Sequence, residues 1–236
     1  MKRTHACLLI LILALAAAFI VRLFVGVRFG WPAGDVLDLR LGRVVSAAAV
    51  GAGLGVSGAL LQALLRNPLA SPFILGLANG AGLGVVVAIW IGYAVDNPVL
   101  RQSAILPAAL LGALLALVLV LQLGRRRGQV EPLSLVLVGV VLSAVFGAVT
   151  LFVLHLLPPA EMAVLTRWMM GSISDERSWL LIGLIAGATV LGAGFATALA
   201  RPIDAMMLGD EDAVSVGVPL QRLRRALLLL AGVLAA

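Results

Sequence analysis

Six apolar runs, each about as long as a lipid bilayer is thick, dominate this 236-residue sequence. An α-helix rises about 1.5 Å per residue, so about 20 apolar residues cross the hydrocarbon core of a membrane. We predict membrane-spanning helices over residues 7–24, 44–65, 74–95, 102–123, 133–157 and 179–200. The predicted fold class is therefore all-α, a polytopic transmembrane helical bundle.

The two ends of the chain need separate interpretation. Lys2 and Arg3 before an apolar run resemble the start of a signal peptide, but the run is long enough to span, which favours a retained first helix. A seventh apolar run begins near Ala226 and stops at Ala236. That run is too short to cross a bilayer, so we expect a chain truncated at its C-terminus.

Composition excludes several classes of function. The chain is 62% hydrophobic and 12% charged, whereas soluble domains have about 45–50% apolar and about 25% charged residues. The net charge of +6 comes from arginines placed between the apolar runs, without the basic stripe that binds nucleic acid. Lys2 is the only lysine, so the chain has no Walker A motif. Cys7 is the only cysteine, which excludes an internal disulfide and a cysteine metal cluster.

Charges between the runs predict an orientation. With the N-terminus in the cytoplasm, more of the 17 lysines and arginines fall on the cytoplasmic side, including the cluster Arg125, Arg126 and Arg127. Within the runs, Arg22 and His155 both lie near a run's end. Ion-coupled transporters usually hold acids or histidines deep in the membrane. The sequence therefore favours a carrier driven by another subunit.

Small residues recur on single faces of the predicted helices. Spacings of three and four put such residues on one helix face, where they let helices approach closely in lipid. The third run repeats the pattern at Gly76, Gly80 and Gly84, and the sixth at Gly183 and Gly187. The candidate packing or pathway residues are Gly51, Gly55, Gly58, Gln62, Asn79 and Gly80.

The second run also permits an enzymatic interpretation. Gly55, Ser57 and Gly58 form a Gly-x-Ser-Gly segment, and His155 lies in a later run. This pairing resembles the serine–histidine pair of rhomboid-type intramembrane proteases. A nucleophilic serine needs a base within hydrogen-bond reach, whereas Ser57 is predicted mid-helix and His155 near a helix end. Small-residue packing is therefore the favoured interpretation.

Residues 201–225 form the longest connection predicted on the cytoplasmic side. Gly209 breaks the chain, and the acidic residues that follow suit the start of a short helix over 210–216. Gly217 is a natural helix end, and Pro219 suits the start of the next helix. We expect two short helices on the membrane surface. Their predicted exposed apolar residues are Met206, Met207, Leu208, Val214 and Val216.

Exposed apolar side chains in such a connection often mark an interface. A docking surface is therefore favoured over a solvated loop.

Six segments in a fixed order resemble the FecCD-type permease family of ABC importers, the membrane subunits for iron–siderophore, haem and vitamin B12 uptake. The resemblance extends over essentially the whole chain. One departure is Gly42, where the family usually has proline. The segments cover residues 39–43, 57–62, 66–72, 75–81, 168–172, and 208–213 with 216–218.

The resemblance implies an assembly in the bacterial cytoplasmic (inner) membrane, with the N-terminus cytoplasmic. Residues 1–236 would form one permease domain of a ten-helix family, incomplete at the C-terminus. The implied partners are a second permease copy (as a homo- or heterodimer), a cytoplasmic ABC ATPase dimer, a periplasmic substrate-binding protein and membrane lipid, without nucleic acid. ATP hydrolysis would occur in the ATPase, so no catalytic residue, metal or cofactor is expected in this chain.

The resemblance also implies two contact sites. Arginines at the positions of Arg40 and Arg43 meet acidic residues of the binding protein in the family. The connection at 201–225 corresponds to the coupling helices that seat in the ATPase. The implied coupling residues are Leu208, Gly209, Asp210, Glu211, Asp212, Ala213, Val216 and Gly217.

Two alternatives stay open at this stage. The first is transport of another kind, by a permease of another ABC class or by a secondary transporter. The more distant alternative is the intramembrane serine protease that Ser57 and His155 suggest.

Overall fold

The computed structural model of this chain describes residues 2–25, 34–126, 128–171 and 179–236. Helices make up most of these residues, and one short hairpin joins two of them. The helices are α1 Lys2–Phe24, α2 Gly34–Leu65, α3 Leu77–Ala94, α4 Pro98–Ser103, α5 Ile105–Leu123, α6 Pro132–His155, α7 Pro159–Met169, α8 Trp179–Ala198, α9 Ala200–Leu208, α10 Asp210–Ser215 and α11 Leu220–Ala235. A 3₁₀ turn spans Pro72–Leu75, and the antiparallel strands are β1 Arg125–Arg126 and β2 Gln129–Val130.

Six of the described helices are long and apolar enough to cross a membrane: α1, α2, α3, α5, α6 and α8. These are the six predicted runs, so the predicted all-α polytopic bundle is confirmed. Contact with lipid accounts for the exposed apolar side chains of α1. On α1 the side chains from Leu8 to Leu13 are more than half exposed, which suits contact with lipid tails.

Three boundaries differ from the prediction. α2 begins at Gly34 rather than near residue 44, because its early arginines interrupt hydropathy but are good helix formers. α3 begins at Leu77, after the 3₁₀ turn and Gly76, whose φ of +74° favours glycine. α7 forms inside the predicted connection 158–178, with Leu165 buried. Residues 172–178 of that connection lie outside the described residues.

Contacts divide the chain into two units. The first takes in the described residues of Met1–Gly51 and Ile173–Gly187, and the second those of Ala52–Ser172 and Ala188–Ala236. The second unit holds the larger apolar core, which gathers residues from α2, α3, α5, α6, α9 and α11. Its fully buried members include Leu61, Leu64, Leu75, Leu135, Met206, Leu227 and Leu228.

Glycines bring α3 and α5 into close contact. A Cβ added to Gly80 would lie 2.6 Å from the carbonyl oxygen of Gly112, and one on Gly84 would clash with the carbonyl of Ala108. Both partners are backbone atoms, which cannot swing away as a side chain can. Neither Gly80 nor Gly84 therefore leaves room for a larger side chain where α3 crosses α5.

The predicted small-residue face of α2 is open within the described chain. A Cβ added to Gly51, Gly55 or Gly58 would meet no described atom within 4 Å, and Gln62 is exposed. Packing in the second unit uses the opposite face of α2, where Leu60, Leu61 and Leu64 are buried.

Two small residues continue that packed face of α2. A Cβ added to Gly53 would lie 3.1 Å from Thr189 Oγ1, so α2 and α8 are close there. The Ser57 hydroxyl donates to the carbonyl of Ala231 at 2.6 Å, which joins α2 to α11.

Candidate functional site

Glycine and proline residues shape the connection between α8 and α11. Gly209 separates α9 from α10, as predicted, and Gly217 ends the following turn with a φ of +83°. Pro219 is the residue before α11. Only glycine adopts such a positive φ without strain, so Gly217 fixes where the chain turns. The predicted pair of short helices is thus confirmed.

Four apolar side chains of α9, α10 and the residue after α10 are exposed. Leu208 and Val216 are 80% and 70% exposed, and Met207 and Val214 are also exposed. The predicted exposure of Met206 is wrong, because this side chain is 1% exposed and packs in the core. Met206 follows Ile203 by three residues, so both lie on the buried face of α9. We call the open set Met207, Leu208, Val214 and Val216 the coupling surface.

Asp210 lies at the start of α10 and binds two arginines. Its Oδ1 atom accepts hydrogen bonds from Arg66 Nη2 at 2.5 Å and from Arg224 Nη2 at 2.8 Å. Its Oδ2 atom accepts from Arg224 Nη2 at 2.7 Å. We call this three-residue cluster the arginine clamp. In the sequence Asp210 is one of three consecutive acids on one helix, and nothing near it indicates these two partners.

Arg66 connects the clamp to the turn after α2. Its guanidinium also donates to the carbonyl of Met206, near the end of α9. The backbone of Arg66 has a φ of +48°, and the Asn67 side chain accepts from the amide of Leu69 at 2.9 Å. Arg66 therefore caps α9 while its own backbone belongs to a fixed turn.

Arg224 connects the clamp to the hairpin between α5 and α6. It is 6% exposed, and its Nη1 atom donates to the carbonyl of Val130 at 3.4 Å. The amide of Val130 donates to Gln221 Oε1 at 2.8 Å, so α11 binds both backbone groups of this residue. A buried guanidinium requires a countercharge, and Asp210 supplies it.

Removing one partner from a buried ion pair costs about 3–5 kcal/mol. We expect less here because Asp210 is half exposed and screened by water.

Electrostatics keep the Asp210 carboxyl ionised. Partial burial raises its pKa, but the hydrogen bonds and charges of Arg224 and then Arg66 outweigh burial, so the pKa lies below 3.8. Because the folded pKa is lowered, the clamp contributes stability above the unfolded pKa of this group. That contribution is lost only as the pH falls through the lower folded value.

The predicted docking arginines belong to the first unit. Arg40 is half-buried, and its Nη1 atom donates to the carbonyl of Leu23 in the last turn of α1. Arg43 is also half-buried. Nearby in the same unit, the Trp179 indole donates to Asp38 at 3.2 Å. A guanidinium has five N–H donors, so capping α1 leaves Arg40 with donors for another partner.

The structure does not form the pair that a serine protease requires. Ser57 is fully buried, and its hydroxyl donates to Ala231 rather than to a histidine. His155 is exposed at the end of α6.

Asn79, a predicted pathway residue, donates from Nδ2 to the carbonyl of Ser143 at 3.2 Å and joins α3 to α6. Within residues 2–25, 34–126, 128–171 and 179–236, no group of acidic, histidine or cysteine side chains could hold a metal.

Comparisons with known proteins agree on one family. The model of the FecCD transport family matches residues 7–236. A cobalamin import system permease protein BtuC of Halobacterium salinarum is 36% identical over 198 residues, which are 84% of this chain and 52% of that relative. A vitamin B12 import system permease protein BtuC of Serratia proteamaculans is 33% identical over 236 residues, or 95% of this chain and 68% of that relative.

A solved structure has the same fold. It is described as a metal-chelate type ABC transporter in an inward-facing conformation, and it matches with a TM-score of 0.79 and 26% identity. The match covers 95% of this chain and 70% of that one. The chain thus spans about half to 70% of the length of the proteins it resembles.

Proposed function

This chain belongs to the FecCD transport family, and we propose from that membership that it is the membrane permease subunit of an ATP-driven metal-chelate importer. Vitamin B12-type chelates are the favoured cargo, because the two relatives above carry that name. Iron–siderophore and haem chelates are the other candidates in the family. Residues 1–236 would form one permease domain in the bacterial inner membrane, with the N-terminus in the cytoplasm.

The proposed mechanism is alternating access driven from outside the chain. An ABC ATPase dimer would bind residues 201–225 and close on ATP, and a second permease copy would complete the pathway. A periplasmic binding protein would deliver the chelate. Only contacts that differ between two conformations let ATP shift the permease from one to the other. Catalytic residues would then lie in the ATPase, which leaves this chain without an enzymatic role.

The coupling surface is the observation that carries this proposal. Four apolar side chains are exposed on α9, on α10 and at the residue after α10, beside the acids Glu211 and Asp212. Leu208 is 80% exposed at a helix end, and contact of such an apolar side chain with water is unfavourable. A partner that covers this surface would remove it from water. The proposed ATPase would do so by binding here, and its closure would then move α9 and α10.

Reconstituted transport tests the function. The full-length permease, its ATPase and its binding protein are placed in liposomes, and uptake of labelled cobalamin is measured. We expect uptake only with ATP, and no loss when an ionophore collapses the proton gradient. Uptake that persists without the ATPase but stops with the ionophore would instead support the secondary transporter. Competition by iron–siderophore or haem chelates would assign the cargo.

Reversing the charge of both docking arginines should weaken binding-protein association. For Arg40→Glu with Arg43→Glu, we expect an affinity loss of roughly tenfold, since exposed ion pairs contribute about 0–1 kcal/mol each. The loss should be larger at low salt and should lie mainly in the association rate. Surface plasmon resonance at two ionic strengths measures both quantities.

Two controls accompany this experiment. Arg167→Glu changes an exposed arginine on α7, predicted on the same side of the membrane, and should leave the affinity unchanged. Arg40→Gln removes the cap on α1 without adding negative charge, so it separates local stability from docking. An affinity that does not respond to the double reversal at either salt concentration would rule out this docking site.

A further inference from the structure

We propose that Asp210 is a positioning residue for coupling: its carboxylate ties the coupling surface to two other connections, so that a push on α9 and α10 moves the ends of four spans together. The inference deepens the proposed function, because the push would come from the ATPase. The link itself is a property of the second unit and does not depend on which chelate is carried. Three observations support it.

The first observation is the link toward α2 and α3. Arg66 directly follows α2, and its Nη2 atom reaches both the Asp210 carboxylate and the carbonyl of Met206. One guanidinium nitrogen therefore bridges the end of α9 and the start of α10. After Arg66, the chain runs through the Asn67 turn into the 3₁₀ turn at Pro72–Leu75, directly before α3. A displacement of α10 thus acts on the turn between two spans.

The second observation is the link toward α5 and α6. Arg224 holds Asp210 with Nη2 and the carbonyl of Val130 with Nη1. Val130 ends the hairpin that joins α5 to α6, and Gln221 holds its amide. The neighbouring Arg225 adds a donor to the carbonyl of Gly128 at 3.4 Å. The start of α11 therefore connects Asp210 to the hairpin through a buried side chain.

The third observation separates Asp210 from its acidic neighbours. Glu211 and Asp212 are exposed on the same short helix, and neither takes part in an ion pair among the described residues. Asp210 alone of the three meets two arginines from different connections. The three acids, which the sequence presents as one segment, thus have two roles. Asp210 faces the chain, while Glu211 and Asp212 face outward.

These contacts make the clamp a mechanical link. Charged hydrogen bonds are short and directional, so they transmit displacement better than an apolar contact that can slide. Asp210→Asn would keep the size of the side chain but remove the charge that holds Arg66 and Arg224. The ATPase would still find the coupling surface. Its closure would then move α9 and α10 with less effect on the spans.

The test uses the full-length permease with its ATPase and compares Asp210→Asn with Asp96→Asn, a control at an exposed acid outside residues 201–225. Each variant is assayed for ATPase co-purification and for chelate transported per ATP hydrolysed. For Asp210→Asn we expect normal co-purification and at least a fivefold lower transport ratio, the scale of a typical coupling energy. Asp96→Asn should match the wild type in both assays. Asp210→Glu keeps the charge and should restore most of the ratio.

A double mutant shows whether the clamp acts as one unit. Arg66→Gln should lower the transport ratio less than Asp210→Asn does, because it removes only the link toward α2 and α3. Adding it to Asp210→Asn should change little further, since that link is already lost. Full additivity would overturn the proposal. Equal loss of co-purification and of folded yield in Asp210→Asn would also overturn it, since that result describes a structural role alone. A wild-type transport ratio in Asp210→Asn would do the same.

Hydrogen exchange tests the link independently of transport. In the isolated full-length permease, Asp210→Asn should speed amide exchange in residues 67–76 and 128–130, whereas Glu211→Gln should not. Unchanged exchange would remove the clamp as a physical link. If the wild type binds no ATPase but exchange responds as expected, the proposed function fails while the clamp stands. The two failures are thereby distinguished.

Discussion

Gly84→Ala should destabilise the protein by about 3 kcal/mol, the upper part of the range for overpacking a core. The added methyl would lie closer to a backbone atom, the Ala108 carbonyl oxygen, than at any other described glycine. Its distance would be far under the 3.0 Å that real Cβ atoms keep, so α3 and α5 would have to separate. Thermal unfolding of the detergent-solubilised protein, followed by circular dichroism, measures the effect.

The same helix provides the control. A methyl added at Gly82 would meet nothing within 4 Å, so Gly82→Ala should not destabilise the protein and should raise its stability by about 0.5–1 kcal/mol, because alanine favours a helix over glycine. Gly112→Ala approaches the same crossing from α5, against the carbonyl of Gly80, and should behave like Gly84→Ala. Equal unfolding midpoints for Gly84→Ala and Gly82→Ala would contradict the close helix crossing.

Leu208→Asp combined with Val216→Asp should reduce ATPase affinity by 100-fold or more. Truncating a central interface residue costs about 2 kcal/mol or more, and a buried carboxylate costs further desolvation. Two such changes therefore exceed about 2.8 kcal/mol, which is 100-fold. Co-purification at several ATPase concentrations gives the affinity. Both side chains are exposed, so folding should be unaffected.

A matched exposed residue checks that reasoning. Val99 on α4 is 75% exposed, against 70% for Val216, and lies outside the candidate spans. Val99→Asp should bind ATPase as the wild type does. If the double variant unfolds at the wild-type temperature and still binds ATPase normally, the coupling surface is not the ATPase site. Its four apolar residues would then need another partner.

Hydropathy predicted the spans because a bilayer imposes one length on every helix that crosses it. The same reasoning explains its error at α2. A run counted by apolarity starts after Arg43, although the helix continues back to Gly34, since helix formation depends on the backbone and not on hydropathy. The short helices at 201–225 were predictable from Gly209, Gly217 and Pro219, because these residues act through local backbone geometry.

Side-chain partners across the fold were not predictable in this way. Arg66 and Asp210 are 144 residues apart, and nothing local to either position indicates the other. The burial of Met206 also depends on which face of α9 meets the core. On α2, both faces carry small residues, and the one with Gly53 and Ser57 is packed in the second unit. Periodicity identifies such faces but does not decide which of them a neighbour covers.

The hydrogen bond between Ser57 and Ala231 can form only late in synthesis of the chain. Its two residues are 174 positions apart, and ribosomes add about 5–20 residues per second. At that rate, roughly 9–35 s pass between the synthesis of Ser57 and that of its acceptor, Ala231. During that interval the packed face of α2, including Leu61 and Leu64, has no α11 to cover it. The nascent chain therefore exposes an apolar strip of α2 that α11 covers only at the end of synthesis.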